Sequence, residues 1–341
     1  MRKRTKSLLA AACCLIAASW PRAGHAQPEK SHIAIGSASL GLTYLPLIIA
    51  EHQGYFKQAG LDVEVSGFPG GSKALEALMG GSIDVASGAY SNTLTMAARG
   101  QKLIAFAEQV GCPGFSLVVG KGQAAKFHSL ADLKGMKIGV SAPGSSSHMV
   151  LNFLLKQGGV AESDVAVIGV GSSSGAVAAV RSGQIDAMLG NEPIDTMLEE
   201  SHDAIIFTNM RSQPESDKVF GGQYPEASFY ARADFIARYP KTVQAIADAV
   251  VRAERWLTKA TPEQVADAVP GEYLLGDRAL YIKAFTNMRS CLSPNGLFEP
   301  RGVETVLKIL NDFNESVRGA TIKLDETYDN SFVQHALAAA R

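Results

Sequence analysis

The chain has 341 residues, 46% hydrophobic and 19% charged, a length that favours two lobes over a single core. Its 32 Lys and Arg against 33 Asp and Glu give a formal net charge of −1, and no basic patch marks a nucleic-acid surface. Seven histidines and four cysteines show no metal-ligand spacing, so neither a metal nor another cofactor is expected.

Arg2, Lys3, Arg4 and Lys6 precede the uncharged apolar run SLLAAACCLIAASW at 7–20, and PRAGHAQ then offers a small-residue cleavage site after Ala26. That layout predicts a secretory signal peptide over 1–26, in a run too short for a comfortable membrane span, and hence a periplasmic protein. Cys13 and Cys14 follow alanines rather than a leucine-led box, which argues against a lipid anchor. Removing 1–26 takes away five cations and no acids, so the remainder is more acidic. Cys112 and Cys291 remain; they could pair in an oxidising compartment, although two distant cysteines do not make a disulfide scaffold.

From residue 32 short β-like runs alternate with helical stretches. HIAIGS reads as a strand, YLPLIIAEHQGYFKQAG as helical, LDVEVSGF as a strand, SKALEALMGG as a helix capped by Ser72, IDVASG as a strand, YSNTLTMAARG as a helix and KLIAFAEQV as a strand. The order restarts near 129: after the short capped helix SLADLKG come MKIGVSAPG, DVAVIGVG, QIDAMLG and DAIIFT as strands, with helices between them. Such alternation requires crossover connections and mainly parallel sheets, and its repetition requires two similar α/β lobes. The crossings between them are expected near 107–115 and 219–227. ASFYARADFIARYP then reads as a strand and a short helix, and the remainder as amphipathic helices.

The pair GGSIDVASGAY (80–90) and SGQIDAMLGNE (182–192) repeats one pattern, a helix ending at glycine, a turn and a buried strand. Gly81 and Gly183 suit the positive φ of a helix C-terminus, and Asp84 and Asp186 suit turn hydrogen bonding at the strand start. Open parallel sheets bind ligands beyond the C-terminal ends of their strands. Those ends are Ser37–Tyr44, Phe68–Ser72, Ser87–Ser91, Gln109–Gly114, Ser141–Ser147, Gly171–Gly175 and Gly190–Pro193, loops rich in Ser and Gly and poor in charge. Their serines serve either as helix caps or as ligand contacts, with free helix N–H groups beside them. Glu192 serves either as an acid at a helix N-terminus or as a cleft carboxylate, and Ser87 and Tyr90 would face it from the other lobe. Tyr44, Tyr90 and Tyr224 fall near loop ends and could flank a ligand. Gly171–Gly175 matches G-x-S-x-G, but no acid–histidine partnership accompanies Ser173, and the glycines miss the dinucleotide fingerprint by one residue.

GLTYLPLIIAEHQGYFKQAGLDVEV (41–65), ALMGGSIDVASG (77–88), SLADLKGMKIGVSAPGSS (129–146), AVRSGQIDAMLGNEP (179–193) and FYARADFIARYP (229–240) together resemble a known family. They are similar, in order, to segments of periplasmic solute-binding proteins of ABC importers. The subgroup is the nitrate, sulfonate and taurine type, which includes binders of thiamine-pyrimidine precursors. The resemblance implies a type II periplasmic-binding fold, with two similar lobes of open, mainly parallel α/β sheets joined by a two-strand hinge. Lobe 1 would comprise 31–112 plus 221–341, and lobe 2 the inserted 113–220.

The resemblance further implies a monomer that clamps a small-molecule solute between its lobes and delivers it to a membrane permease and ATPase. By position, ligand contacts fall on Ser37, Thr43 and Tyr44, on Ser87, Gly88 and Ala89, and on Ser141, Ser145, Ser146 and Glu192. Tyr90 and Tyr224 join them from the loop reading. No arginine stands at these positions, which disfavours an inorganic anion and suits an organic molecule with a polar or anionic end and a donor group. The alternative is an enzyme on the same fold acting on a small heterocycle or organic acid, for which no convincing catalytic constellation stands out.

Overall fold

A computed structural model describes residues 27–39 and 41–339, so the expected signal segment lies outside the described residues. The strands are β1 (His32–Ser37), β2 (Asp62–Gly67), β3 (Val85–Ala89), β4 (Leu103–Glu108), β5 (Phe115–Gly120), β6 (Lys137–Val140), β7 (Ala166–Gly169), β8 (Ala187–Asn191), β9 (Ala204–Met210) and β10 (Ala227–Arg232). They form two five-stranded sheets, ordered β2-β1-β3-β10-β4 and β7-β6-β8-β5-β9. In the first, β1 runs parallel to β2 and β3. In the second, β6 runs parallel to β7 and β8.

Each sheet has one antiparallel strand in its fourth place, and that strand arrives from the other sheet. The chain leaves the first sheet after β4 and enters the second as β5, antiparallel to β8 and β9. It leaves after β9 and returns as β10, antiparallel to β3 and β4. Both crossings begin at the C-terminal ends of the parallel strands, so the incoming strand starts where its neighbours finish and must run against them. The sequence reading passes over β5. FSLVVG is buried along its whole length and lacks the alternation that marks a strand with one wet face.

The repeated Ile-Asp step does the same work in both sheets. Asp84 donates its N–H to Ala34 O (2.8 Å) and accepts the Ala34 N–H on its carboxylate (3.0 Å). Asp186 makes the same pair of bonds to Lys137, both at 2.8 Å. Gly81 and Gly183 turn the chain at φ +77° and +69°, in the left-handed region that glycine favours. Ser72 lies inside the first turn of its helix, which begins at Gly71, and its hydroxyl makes no cap bond.

The C-terminal third does not stay with the first sheet. The helix Pro240–Lys259 buries Val243, Ile246, Val250 and Leu257 with the first-sheet core. The helix Pro300–Phe313, however, places Val306, Ile309 and Leu310 in one cluster with Val150, Leu151 and Leu154 of the second sheet's helix Ser146–Gln157. Lys156 also donates to Asp312 O at 2.6 Å. The assignment of all of 221–341 to one lobe is therefore too simple: this part straddles both sheets, because an amphipathic helix has an apolar face but its sequence does not name the face's partner.

Cys112 and Cys291 are joined, with Cα atoms 5.1 Å apart across a sequence separation of 179. In the chain-entropy account a loop of that size stabilises the fold by about 5 kcal/mol. The bond fastens the first crossing to the C-terminal segment. Gly111 N–H donates to Cys291 O (2.8 Å) and Ser293 N–H to Gln109 O (2.9 Å) alongside it.

Candidate ligand cleft

The C-terminal ends of the two sheets face each other across a narrow cleft that leaves about 20 Å³ inside, room for about one water molecule. Ala38, Ser39, Thr43, Tyr44 and Gly71 line it from the first sheet. Phe115, Ser141, Ser146, Ser147, Ser172 and Asn191 line it from the second, with Gly171 and Leu189 behind them. None of these residues is charged.

Two helices begin at this cleft, Ser146–Gln157 and Ser174–Arg181, and neither Ser145 nor Ser173 caps its helix through the side chain. The first-turn N–H groups remain available to an acceptor. Ser145 instead donates to Ala142 O (2.6 Å) and joins Ser141 (2.8 Å) and Ser147 (3.0 Å) in a hydroxyl cluster that shapes the loop. Thr43 Oγ1 is buried in the opposite wall without a hydrogen-bond partner among the described residues.

The sheets are closed on one another. Leu42 N–H donates to Glu192 O at 3.2 Å, and Gly41 lies against Asn191. At Gly70 an added Cβ would stand 2.7 Å from Ala142 Cβ and 3.1 Å from its backbone nitrogen. Gly70→Val is therefore expected to keep the sheets apart. Small-angle scattering should give the variant a larger radius of gyration than the parent. Equal radii would show that this contact does not limit closure.

Of the residues expected to meet a ligand, Thr43, Tyr44, Ser141 and Ser146 line the cleft. The others are turned to protein partners. Ser37 donates to Ser39 O (2.6 Å), Ser87 is bonded to Gln109 (2.9 Å), Gly88 O receives Ser228 (3.4 Å), and Ala89 pairs with Ala227. Tyr90 is buried against Phe298, its hydroxyl 2.6 Å from Thr327 Oγ1. Tyr224 is buried and stacked on Phe220 at 4.5 Å. Ser39, Ser147, Ser172 and Asn191 fall within the strand-end loops but were not singled out, whereas Phe115 and Leu189 sit on strands next to those loops and carried no chemical signal.

Glu192 departs most from expectation. Its carboxylate is fully buried and accepts from Thr196 N–H (3.2 Å) and Oγ1 (2.8 Å), from Arg211 Nη1 (3.3 Å) and from Asn287 Nδ2 (3.3 Å). Burial pushes its acidity below that of an ordinary carboxyl, and Arg211 opposes the shift. Asp195 beside it is pushed further in the same direction, by burial and then by the Glu192 charge. With its oxygens occupied by the protein, Glu192 ties the end of β8 to β9 and to the helix Arg278–Met288. Its neighbour Asn191 faces the cleft instead.

Residues 26–269 match the NMT1-like family. A protein of Brucella abortus (strain 2308) is 32% identical over 236 residues, 68% of each chain. A solved structure from Bordetella bronchiseptica RB50 is 42% identical with a TM-score of 0.90, covering 92% of this chain and 99% of its own. The alkanesulfonate-binding protein SsuA from Xanthomonas axonopodis pv. citri, bound to MOPS, shares the fold at 19% identity and a TM-score of 0.65, over 90% of this chain and 98% of that one. The chain belongs to the NMT1-like family and has the two-sheet fold of periplasmic solute-binding proteins.

Proposed function

We propose that the protein is the solute-binding component of an ABC importer, held in the periplasm after loss of residues 1–26. It closes its lobes on a small polar organic solute and presents the closed form to a membrane permease and its ATPase, acting as a monomer without chemical turnover. The two sheets with their helices are the lobes, and β5 and β10 with the segments leading into them are the hinge. The observation that carries this reading is the cleft itself. Its lining is uncharged and comes from the strand ends of both sheets, with two uncapped helix N-termini opening onto it. A ligand touching both walls favours the closed state by the contacts it gains only there.

Native mass spectrometry of the purified protein tests the reading. The expected result is one non-covalent small molecule, recovered chemically unchanged, whose return to stripped protein raises the melting temperature. Recovery of a converted product, or no thermal response to any member of a broad solute panel, would overturn it.

A further inference from the structure

Glu226 immediately precedes β10, on the segment that carries the chain back from the second sheet, and is fully buried. Its backbone is held on both sides: its N–H donates to Val110 O (3.1 Å), and its carbonyl accepts the Tyr90 N–H (2.6 Å). The side chain is thereby fixed where the two crossings meet. The groups near its carboxylate are the hydroxyls of Tyr44, Tyr224, Tyr230 and Ser146. Two of these, Tyr44 and Ser146, line the cleft, one from each sheet.

Ser146 approaches the acid, yet neither carboxylate oxygen has a hydrogen-bond partner of ordinary geometry among the described residues. No cationic side chain among the described residues compensates it either. Glu192 shows the contrast, being equally buried but supplied with donors from Thr196, Arg211 and Asn287. A buried carboxylate without donors is costly unless it holds a proton or meets a partner from outside. Burial accordingly pushes the Glu226 carboxyl up to about 7.

We propose that Glu226 is the recognition carboxylate of the cleft, and that the solute carries a donor nitrogen, an ammonium or amidinium-like group, that pairs with it. This rests on the solute-binding reading above. The uncapped N-termini at Ser146 and Ser174, with the free Thr43 hydroxyl, then receive an oxygen acceptor at the solute's other end. The solute is bipolar, and a bare anion such as nitrate or a simple alkanesulfonate would bring the acid no donor.

Matched pairs of compounds test this on stripped full-length protein: taurine against ethanesulfonate, γ-aminobutyrate against butyrate, and 4-aminopyrimidine against pyrimidine. Each is measured by thermal shift and calorimetry together with the co-purified solute, in the parent and in Glu226→Gln. The expected result is binding by amine-bearing members or by a co-purified solute with a donor nitrogen, weakened at least tenfold in Glu226→Gln. The ligand-free variant should melt no lower than the parent. Equal affinity in the two proteins, or a bound solute without a nitrogen donor, overturns the role of Glu226 and leaves the solute-binding reading intact. If neither the panel nor a co-purified compound binds, the solute-binding reading fails first and this inference with it.

Discussion

Arg211→Met is expected to destabilise the protein by about 3–5 kcal/mol, the usual cost of removing one partner from a buried ion pair. Arg211 is 7% exposed, and its Nη1 reaches Glu192 (3.3 Å) and Glu199 (3.0 Å) while its Nε donates to Asn209 (3.0 Å). Without it, Glu192 and Asp195 remain inside the second lobe with no cation beside them. The same cluster fastens the helix Arg278–Met288 through Asn287, so its loss also loosens a C-terminal element. Urea unfolding of the disulfide-intact protein at neutral pH measures the effect. Adding Glu192→Gln to Arg211→Met should recover a substantial part of the loss, because the acid left unpaired is then neutral. A loss below about 1 kcal/mol, the level of a surface ion pair, would mean that the cluster is not held by its charges.

The second large effect concerns pH. Burial pushes Glu108 up to about 8 and Glu226 up to about 7, and Glu254 and Asp195 well above the ordinary carboxylate range. Each of these groups keeps a proton in the folded chain that the unfolded chain has already released. The folded state therefore binds more protons, and stability falls as pH rises from about 4.5 through about 8. The slope is about 1.4 kcal/mol per pH unit for each group between its unfolded and folded values. Ligand-free protein should thus be more stable at pH 5 than at pH 8 by several kcal/mol. The trend reverses in stronger acid, where Asp203 and Glu326, held down to about 2, lose their charge and with it their bonds to Ser201 and Arg181 and to Lys102 and Lys323. Urea titrations at pH 5, 6.5 and 8 read the sign directly. Glu108→Gln should flatten the curve, raising stability at pH 8 and leaving pH 5 nearly unchanged. A parent protein most stable at pH 8 would contradict the argument.

The alternation of strands and helices made the two-sheet fold legible, because period and glycine-terminated helices are local properties of sequence. The twin Ile-Asp steps were legible for the same reason: each Asp bonds to a strand that any such βα unit brings beside it. Strand β5 was not, since full burial erases the alternation. The cleft's position followed from the strand ends, but only some of its side chains, Thr43, Tyr44, Ser141 and Ser146, did. Asn191 and Glu192 are adjacent in sequence, yet one faces the cleft and the other the Arg211 cluster. That choice depends on which cation the fold places behind β8, and Arg211 arrives from the bend that follows β9. Tyr224 attracted attention by its place near a loop end, while Glu226, two residues on, revealed itself only through the donors it lacks.

The bond between Cys112 and Cys291 has a topological consequence. All of β5 to β9, the whole second sheet, lies on the covalent ring that this bond closes, as does β10. A protease that cuts one exposed loop of that ring opens it without dividing the molecule, and both pieces remain a single covalent body until a reductant separates them. The whole second sheet is thus a part of the chain that a single nick within the ring cannot set free.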